Sequence, residues 1–104
     1  MSIYDMDITA DGFDWDAGNR DKCQKHGLLI AEIEMFLLSD PRIAPDLGHS
    51  GREERLLAVG RNSRERAMFV VFTIRHRDGR RLIRPLSARY MHRKEIESYE
   101  TKGS

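Results

Sequence analysis

Arginines are the residues whose number and spacing in this chain most clearly indicate chemistry. Arg75 alternates with Thr73 along one predicted strand. Arg89 alternates with Pro85 along the next, so both guanidinium groups are expected on partly apolar faces. A guanidinium in that setting needs a carboxylate or a phosphate. The pattern predicts either a phosphate site or internal pairs with Glu53 or Glu54. The arginines concerned are Arg75, Arg77, Arg80, Arg81, Arg84, Arg89 and Arg93.

Two histidines have neighbours that suit proton transfer. His26 follows Lys25 at the end of a predicted helix, and His49 precedes a run of acidic residues. Imidazole titrates near neutral pH, so either can act as a general acid or base, although both contexts also fit a hydrogen-bonded structural histidine. His92 stands three residues before Glu95, in a pattern that resembles a helix capping box. We therefore predict a structural role for His92.

Other catalytic chemistries have weaker support. Cys23 is the only cysteine and lies between lysines of a predicted helix, where packing is the usual role. The sequence has no HExxH or CxxC motif, phosphate-binding loop or dinucleotide turn. Asp14 and Asp16 can share a metal ion only with distant acids such as Glu54, and alternating acids beside a strand are usually solvated or cap a helix. We predict neither a metal ion nor a cofactor.

The composition is that of one soluble domain. The chain has 104 residues, of which 39% are hydrophobic and 34% are charged. Residues 1–50 contain 4 Lys and Arg against 10 Asp and Glu, whereas residues 51–104 contain 14 against 7. This asymmetry indicates a polyanion or another charged partner, unless folding interleaves the two halves. The acidic amino terminus and the absence of a long apolar run predict a cytoplasmic protein without a membrane segment.

The first half of the chain is predicted to form a strand and two helices. Residues 13–16 alternate apolar and acidic side chains, and Asp16 suits the cap of a helix that runs to about His26 and ends at Gly27. A second helix over residues 28–38 is apolar on two sides. It is either enclosed by the fold or leaves one of its two stripes for a partner. The first stripe contains Leu29, Ile33, Phe36 and Leu37, and the second contains Leu28, Met35 and Leu38. Residues 41–52 are predicted to form a loop.

Three strands and a helix are predicted to follow. The strands cover residues 55–60, 67–75 and 81–90, and hairpin turns make them antiparallel. Pro85 cannot donate a ladder hydrogen bond, so its strand is at an edge or is bulged. Residues 92–100 have the pattern of a short amphipathic helix. The element order predicts an α+β fold with helices packed on a small antiparallel sheet.

Seven short segments together resemble the BrnT family of bacterial type II toxins, in the same order and spacing. They are FDWD and KHG within residues 13–27, DP at 40–41, D..HS..EER at 46–55, G..S at 60–63, VVFTIR at 70–75 and SARYMHRKEIESYE at 87–100. The resemblance gives one toxin domain over residues 13–100. Residues 1–12 are then an extension, predicted to be poorly ordered, and residues 101–104 a tail.

The resemblance implies a ribonuclease toxin with a fold similar to the RelE toxins, which cleaves RNA and inhibits translation and growth. It also implies neutralisation by an antitoxin of the BrnA type, whose ribbon-helix-helix part binds the operator. The toxin would then reach DNA only through its antitoxin, in a toxin-antitoxin hetero-oligomer. Direct DNA binding by the basic half has little support, because no predicted helix is both basic and long enough to read a major groove.

Metal-free RNA cleavage needs a base for the ribose 2′-hydroxyl, cations for the phosphorane and an acid for the leaving oxygen. We assign Arg75 and Arg89 to the scissile phosphate and Lys25 to charge stabilisation. Proton transfer is assigned to one or more of three candidates: His26, His49 and Glu54. The residues predicted to contact RNA elsewhere are Arg55, Arg84, Arg93 and Tyr90.

The chain departs from its relatives at a few positions. Some relatives carry Lys at the position of Asn19 and Asn at that of Cys23, many read Ile where this chain has Pro85, and many have a polar residue near Leu29. These differences leave a second hypothesis open. The chain is then a degenerate toxin that keeps its antitoxin-binding surface, such as the doubly apolar helix, and has lost cleavage.

Overall fold

The computed structural model describes residues 10–46 and 54–103, with side chains in the second range described as far as Ser98. The elements within these ranges are β1 (Gly12–Phe13), α1 (Ala17–Gln24), α2 (Ile30–Leu38), β2 (Arg42–Pro45), β3 (Leu56–Arg61), β4 (Ala67–Arg77), β5 (Arg80–Tyr90) and α3 (Arg93–Gly103). The predicted α+β class is confirmed. No helix in the described part of the chain is long and apolar enough to cross a membrane.

The strands form one mixed sheet in the order β1-β5-β4-β3-β2. β3, β4 and β5 pair in antiparallel fashion, as predicted from the hairpin turns. β2 also pairs antiparallel with β3, whereas β1 pairs with β5 in parallel. The prediction of a purely antiparallel sheet is therefore wrong at this edge. Hairpin rules cannot anticipate a pairing between residues about 70 positions apart, such as Gly12 and Leu82.

Residues at both predicted domain boundaries belong to regular structure. The Asp11 amide donates to the Arg81 carbonyl at 2.7 Å, and Gly12 begins β1, so the end of the predicted extension joins the sheet. Residues 1–9 lie outside the described residues. At the other end, α3 continues to Gly103, through most of the predicted tail.

β2 lies within residues 41–52, for which the sequence predicts a loop, so that prediction is wrong for these four residues. The four residues of β2 pair with β3 from Arg42 opposite Val59 to Pro45 opposite Leu56. A four-residue strand is too short to show a period, and Pro45 is tolerated because it lies on the edge strand. The sheet therefore continues one strand beyond the predicted hairpins.

The main core lies between one face of the sheet and the two helices α1 and α2. Alternate β4 residues Met68, Val70 and Phe72 are fully buried, and Ile33 and Phe36 of α2 belong to the same apolar cluster. This alternation is the two-residue period of a strand packed on one side. We call this side of the sheet the helix face and the other side the second face.

β5 contains a bulge at Leu86. Val71 pairs with Ser87, whereas the next residue of β4, Phe72, pairs with Pro85, so Leu86 is the additional residue. The prediction that Pro85 lies at an edge or a bulge is confirmed. The additional residue inverts the alternation beyond it, so Arg89 does not share a face with Pro85 as predicted. Arg89 instead lies on the second face.

α1 is tied to this bulge by Asn19. Asp16 caps the helix as predicted. Its side chain accepts from the Asn19 amide at 3.0 Å, and the Asn19 side chain accepts from the Asp16 amide at 2.7 Å. The buried Asn19 Nδ2 group donates to the carbonyls of Asp14 and Pro85, both at 2.9 Å. Asn19 thus serves as the connector between α1 and β5.

α2 exposes part of its apolar surface. Leu28, just before the helix, is buried, but Met35 is 66% exposed and Leu38 is 72% exposed. The stripe of Leu28, Met35 and Leu38 is therefore buried at one end and exposed along the helix. The alternative in which the fold encloses the whole helix is wrong. Its outer side remains accessible to a partner.

Folding interleaves the acidic first half with the basic second half. Arg84 of β5 lies 3.6 Å from Asp14 and 2.8 Å from Asp16, and the Arg81 amide donates to the Asp11 carboxylate. The hydrogen bonds from Asn19 and Arg84 lower the pKa of Asp16. Much of the charge asymmetry is therefore balanced within the molecule.

We predict that Asn19→Ala lowers the free energy of unfolding by about 2 kcal/mol, because it removes the hydrogen bond from the Asp16 amide to the Asn19 side chain and two buried hydrogen bonds, although the Asp16 cap itself remains. Denaturant unfolding measures this change. Gln24→Ala is the matched control, since Gln24 lies on the same helix and its exposed side chain bonds only the Arg20 carbonyl among the described contacts. Equal effects of the two substitutions would show that the Asn19 connection contributes no stability.

Candidate functional site

A cleft of about 860 Å³ lies between the end of α1, the helix α2 and the turn that joins β3 to β4. One wall is apolar and includes Leu29, Met35 and Phe36. Another part of the lining is the β3–β4 turn, with Arg61, Arg64 and Arg66, and Tyr90 of β5 also lines the cleft. The other lining residues are His26, Gly27, Glu32, Ser39, Asn62 and Ser63. Three arginines against one glutamate make the cleft cationic.

Glu32 of α2 connects the elements that surround the cleft. Its Oε2 atom accepts from the Tyr90 hydroxyl at 2.7 Å and from Asn62 Nδ2 at 2.8 Å. Its Oε1 atom lies 3.4 Å from the Leu29 amide, which makes a long hydrogen bond at the start of the helix. One carboxylate therefore holds α2, the β3–β4 turn and the end of β5 together.

Arg66 and Tyr90 form a stack beside Glu32. The guanidinium carbon of Arg66 lies 3.4 Å from the centroid of the Tyr90 ring. This is a close cation–π contact. The hydrogen bond to Glu32, followed by burial, raises the pKa of Tyr90. The phenol therefore remains protonated and keeps donating to the carboxylate at neutral pH.

The β3–β4 turn has internal hydrogen bonds that fix its shape. Asn62 Oδ1 accepts from the amides of Arg64 and Arg66 at 2.9 and 3.0 Å, and an Arg61 guanidinium nitrogen donates to the Glu65 carbonyl at 2.8 Å. Glu65 has φ of 64°. This left-handed conformation occurs mostly at turns. Asparagine at the start of such a turn organises it through its side chain.

The sequence predicts this turn only as a polar connection, and neither its arginines nor Glu32 is among the predicted site residues. The available signal was three arginines within residues 61–66. Their meaning depended on Glu32 and Tyr90, which are 58 residues apart in the chain. Spacing alone could not bring these groups together.

His26 is placed at the cleft by the end of α1. The helix ends at Gln24, and the amide of Gly27 donates to the Gln24 carbonyl at 3.0 Å. Gly27 has φ of 89°, which confirms the prediction of a left-handed glycine there. Lys25 and His26 are both exposed, and His26 lines the cleft. Of the predicted site residues, the structure brings His26 and Tyr90 into this cleft.

Arg89 precedes Tyr90 but lies on the second face, where it is held by α3. Its two terminal nitrogens donate to the two oxygens of Glu95, each at 2.7 Å, and its guanidinium carbon lies 4.7 Å from the Phe69 ring centroid. A two-point pair of this kind is strong and directional. The predicted partners were Glu53 and Glu54, so the partner prediction is wrong for Arg89. Glu95 also accepts from the His92 amide at 2.8 Å, as the capping pattern predicted.

Arg75 and Arg89 share the second face but lie far apart along it. Arg75 is opposite Leu82, whereas Arg89 is opposite Phe69, six residues earlier on β4. At about 3.4 Å per residue, the two positions are about 20 Å apart. The assignment of both guanidinium groups to one scissile phosphate therefore fails on the strand register. The alternation of side chains along a strand predicts which face a residue lies on, but it does not give the distance between Arg75 and Arg89.

The remaining predicted residues are spread over other parts of the structure. The backbone carbonyls of Glu54 and Arg55 accept from the Thr73 hydroxyl and the Asp46 amide, at the end of β3 away from the cleft. Arg84 is bound to Asp14 and Asp16, and Arg93 starts α3. His49 and Glu53 lie outside the described residues.

Nucleophile and metal sites have little support in the described residues. Cys23 is buried, and burial raises the pKa of its thiol to about 11, so it stays protonated. Asp14 and Asp16 bind Arg84, as described above. Across residues 10–46 and 54–98, no three His, Cys, Asp or Glu side chains are grouped so as to hold a metal ion.

Comparison with known families identifies the class of protein. The family model for BrnT, the ribonuclease toxin of a type II toxin-antitoxin system, matches residues 15–95. No curated protein matches the chain. The family match covers most of the chain and confirms the resemblance seen in the sequence. The chain belongs to the BrnT family of ribonuclease toxins.

We predict that the Arg89–Glu95 pair stabilises the fold above about pH 4.5 and that this contribution is lost as the pH falls towards 2. The hydrogen bonds from Arg89 and His92 lower the pKa of Glu95 from 4.5 to about 2. A carboxyl whose pKa is lower in the folded state stabilises that state only while it is ionised. The unfolding free energies of the parent and Glu95→Gln measure the contribution between pH 7 and 2.5. Their difference is expected to be constant above pH 5 and to shrink below pH 4.5; a difference independent of pH would contradict the ionic pair.

Proposed function

We propose that this chain is an endoribonuclease that cleaves RNA without a metal ion, inhibits translation and growth, and is neutralised by an antitoxin of the BrnA type. Membership of the BrnT family supports the reaction class, an RNA substrate and an antitoxin partner. We also propose that its α+β architecture is RelE-like and that residues 13–100 contain the toxin domain. The observation that carries the site assignment is that the cleft combines His26 with Arg61, Arg64 and Arg66.

The proposed reaction begins with attack of the ribose 2′-oxygen on the adjacent phosphorus. A base takes the 2′-hydroxyl proton, the bond from phosphorus to the 5′-oxygen breaks, and an acid gives a proton to that oxygen. The products are a 2′,3′-cyclic phosphate and a new 5′-hydroxyl end. His26 is the candidate in the cleft for one of the two proton transfers, and Glu54 is a candidate away from the cleft. His49, which lies outside the described residues, also stays a candidate.

The charge that develops on the phosphorane needs fixed cations. The Arg61 guanidinium is held by the Glu65 carbonyl, and the backbone of Arg64 is held by Asn62, so this wall is organised before RNA binds. Lys25, next to His26, is suited to an adjacent phosphate. Cations on a fixed frame stabilise the transition state more than mobile surface lysines do.

A second location for the reaction is the second face of the sheet. Arg75 and Arg89 lie there. Arg55 directly precedes β3, at the end of the sheet where Arg75 lies on β4. The separation of Arg75 from Arg89 along β4 allows only one of them near the reacting phosphate, and the other would contact RNA elsewhere. Arg84 and Arg93 stay candidates for such distant contacts.

A panel of variants separates the two locations. For a site in the cleft, we predict that His26→Ala lowers the cleavage rate by about 10²–10⁴-fold and Arg64→Ala by about 10²–10³-fold. Arg75→Ala should keep a rate near that of the parent. Cleavage of end-labelled single-stranded RNA in EDTA measures the rates, and growth after induced expression gives an independent readout. Loss of cleavage in Arg75→Ala or Arg89→Ala, with His26→Ala active, would place the reaction on the second face.

The exposed side of α2 favours the second function, a degenerate toxin that only binds its antitoxin. Met35 and Leu38 are accessible there and offer apolar contact to a protein partner. This function predicts no RNA breakdown by the parent protein under any metal condition. Cleavage in EDTA that His26→Ala or Arg75→Ala abolishes excludes it.

A further inference from the structure

We propose that the stacked Arg66 and Tyr90 form a shelf for one unpaired base of single-stranded RNA, and that Glu32 positions this shelf. The inference rests on the proposed function, because it assumes that RNA enters the cleft. It adds a base-binding subsite to a surface otherwise assigned only to phosphate contact and proton transfer.

The first observation is how closely the two side chains stack. The Arg66 guanidinium carbon lies 3.4 Å from the Tyr90 ring centroid, compared with 4.7 Å for Arg89 over Phe69 and 5.9 Å for Arg20 over Trp15. Arg66 is exposed. The guanidinium group therefore lies against the ring while the Arg66 side chain stays accessible to a ligand.

The second observation is that the Tyr90 side chain and the backbone of Arg66 are both connected to the Glu32 carboxylate. The Tyr90 hydroxyl donates directly to Glu32 Oε2 at 2.7 Å. The Arg66 amide donates to Asn62 Oδ1 at 3.0 Å, and Asn62 Nδ2 donates to the same Glu32 oxygen at 2.8 Å. The Tyr90 ring and the backbone that carries Arg66 are thus held before a ligand arrives, which reduces the entropy lost on binding.

The third observation concerns the chemistry of the ligand. Unpaired RNA bases stack on aromatic rings and on planar guanidinium groups, and every base has a flat face that suits this contact. A phosphate needs only a point of positive charge, which Arg61 and Arg64 supply in the same cleft. A flat cation fixed on an aromatic ring is therefore suited to a base with its phosphate held nearby.

Short 2′-O-methyl RNA oligonucleotides provide the probe, because they lack the attacking hydroxyl and stay intact. A set of hexamers carries 2-aminopurine at each position in turn, and a matching set has an abasic site at that position. We expect one position at which binding quenches the fluorescence of 2-aminopurine. The abasic hexamer for that position should bind about 5- to 150-fold more weakly, the usual range for loss of one stacked base.

The variants separate stacking from charge. Arg66→Ala should remove the quenching and weaken binding by a similar factor, and Arg66→Lys should behave nearly as Arg66→Ala because lysine has charge but no plane. Neither variant should distinguish the abasic hexamer from the intact one. Arg20→Ala is the control, since it removes an exposed arginine that also lies over an aromatic ring but does not line the cleft.

The role of Glu32 is tested in the same assay. Glu32→Gln retains an oxygen that can accept from Tyr90 and should preserve the quenching, whereas Glu32→Ala should lose most of it. Thermal unfolding is measured for each variant, so that loss of the subsite is compared only among folded proteins. Equal loss of quenching in the two Glu32 variants would overturn the positioning role.

Different experimental results would overturn the base-binding shelf and the proposed ribonuclease function. Parental affinity in Arg66→Lys, or equal binding of intact and abasic hexamers by the parent, would show that Arg66 contacts phosphate alone and would overturn the shelf. Either result leaves ribonuclease activity standing. Failure of the parent both to bind the hexamers and to cleave unmodified RNA would instead refute the proposed function, and the inference with it.

Discussion

The Glu32 carboxylate is the constraint on which the cleft depends. It lies on the first turn of α2 and receives hydrogen bonds from the β3–β4 turn and from the end of β5. The arginines of the cleft balance its charge, and the neutral donors that surround it give it two short hydrogen bonds. The shape of the cleft therefore depends on the groups that donate hydrogen bonds to the half-buried Glu32 carboxylate.

The distribution of charge in the molecule follows a similar logic. The acidic amino-terminal half neutralises arginines of β5, most clearly where Asp14 and Asp16 hold Arg84. The arginines of the β3–β4 turn are instead arranged around a single glutamate. A positive excess thus persists in one concave place, where low-dielectric walls strengthen its attraction for an anion.

The features that the sequence predicted are those set by residues close together in the chain. Asp16 caps α1 through Asn19, Gly27 supplies a left-handed backbone, and Pro85 marks the bulge, because each effect acts within a few residues. The parallel pairing of β1, the short β2 and the contact of Arg66 with Tyr90 depend on tertiary packing. The predicted convergence of Arg75 and Arg89 on one phosphate is wrong for a similar reason. The alternation of side chains along a strand takes no account of the additional residue in β5 and gives no distance along the strand.

The bulge in β5 also affects how this chain should be aligned with others. The alternation of side chains between the two faces of the sheet is inverted after Leu86. This one additional residue therefore places Arg89 on the second face and Tyr90 on the helix face. A homologue lacking that insertion would carry its Ser-Ala-Arg-Tyr run inverted, with the arginine towards α2 and the tyrosine away from it. Gap placement at this one column thus decides which side chains are equivalent between homologues.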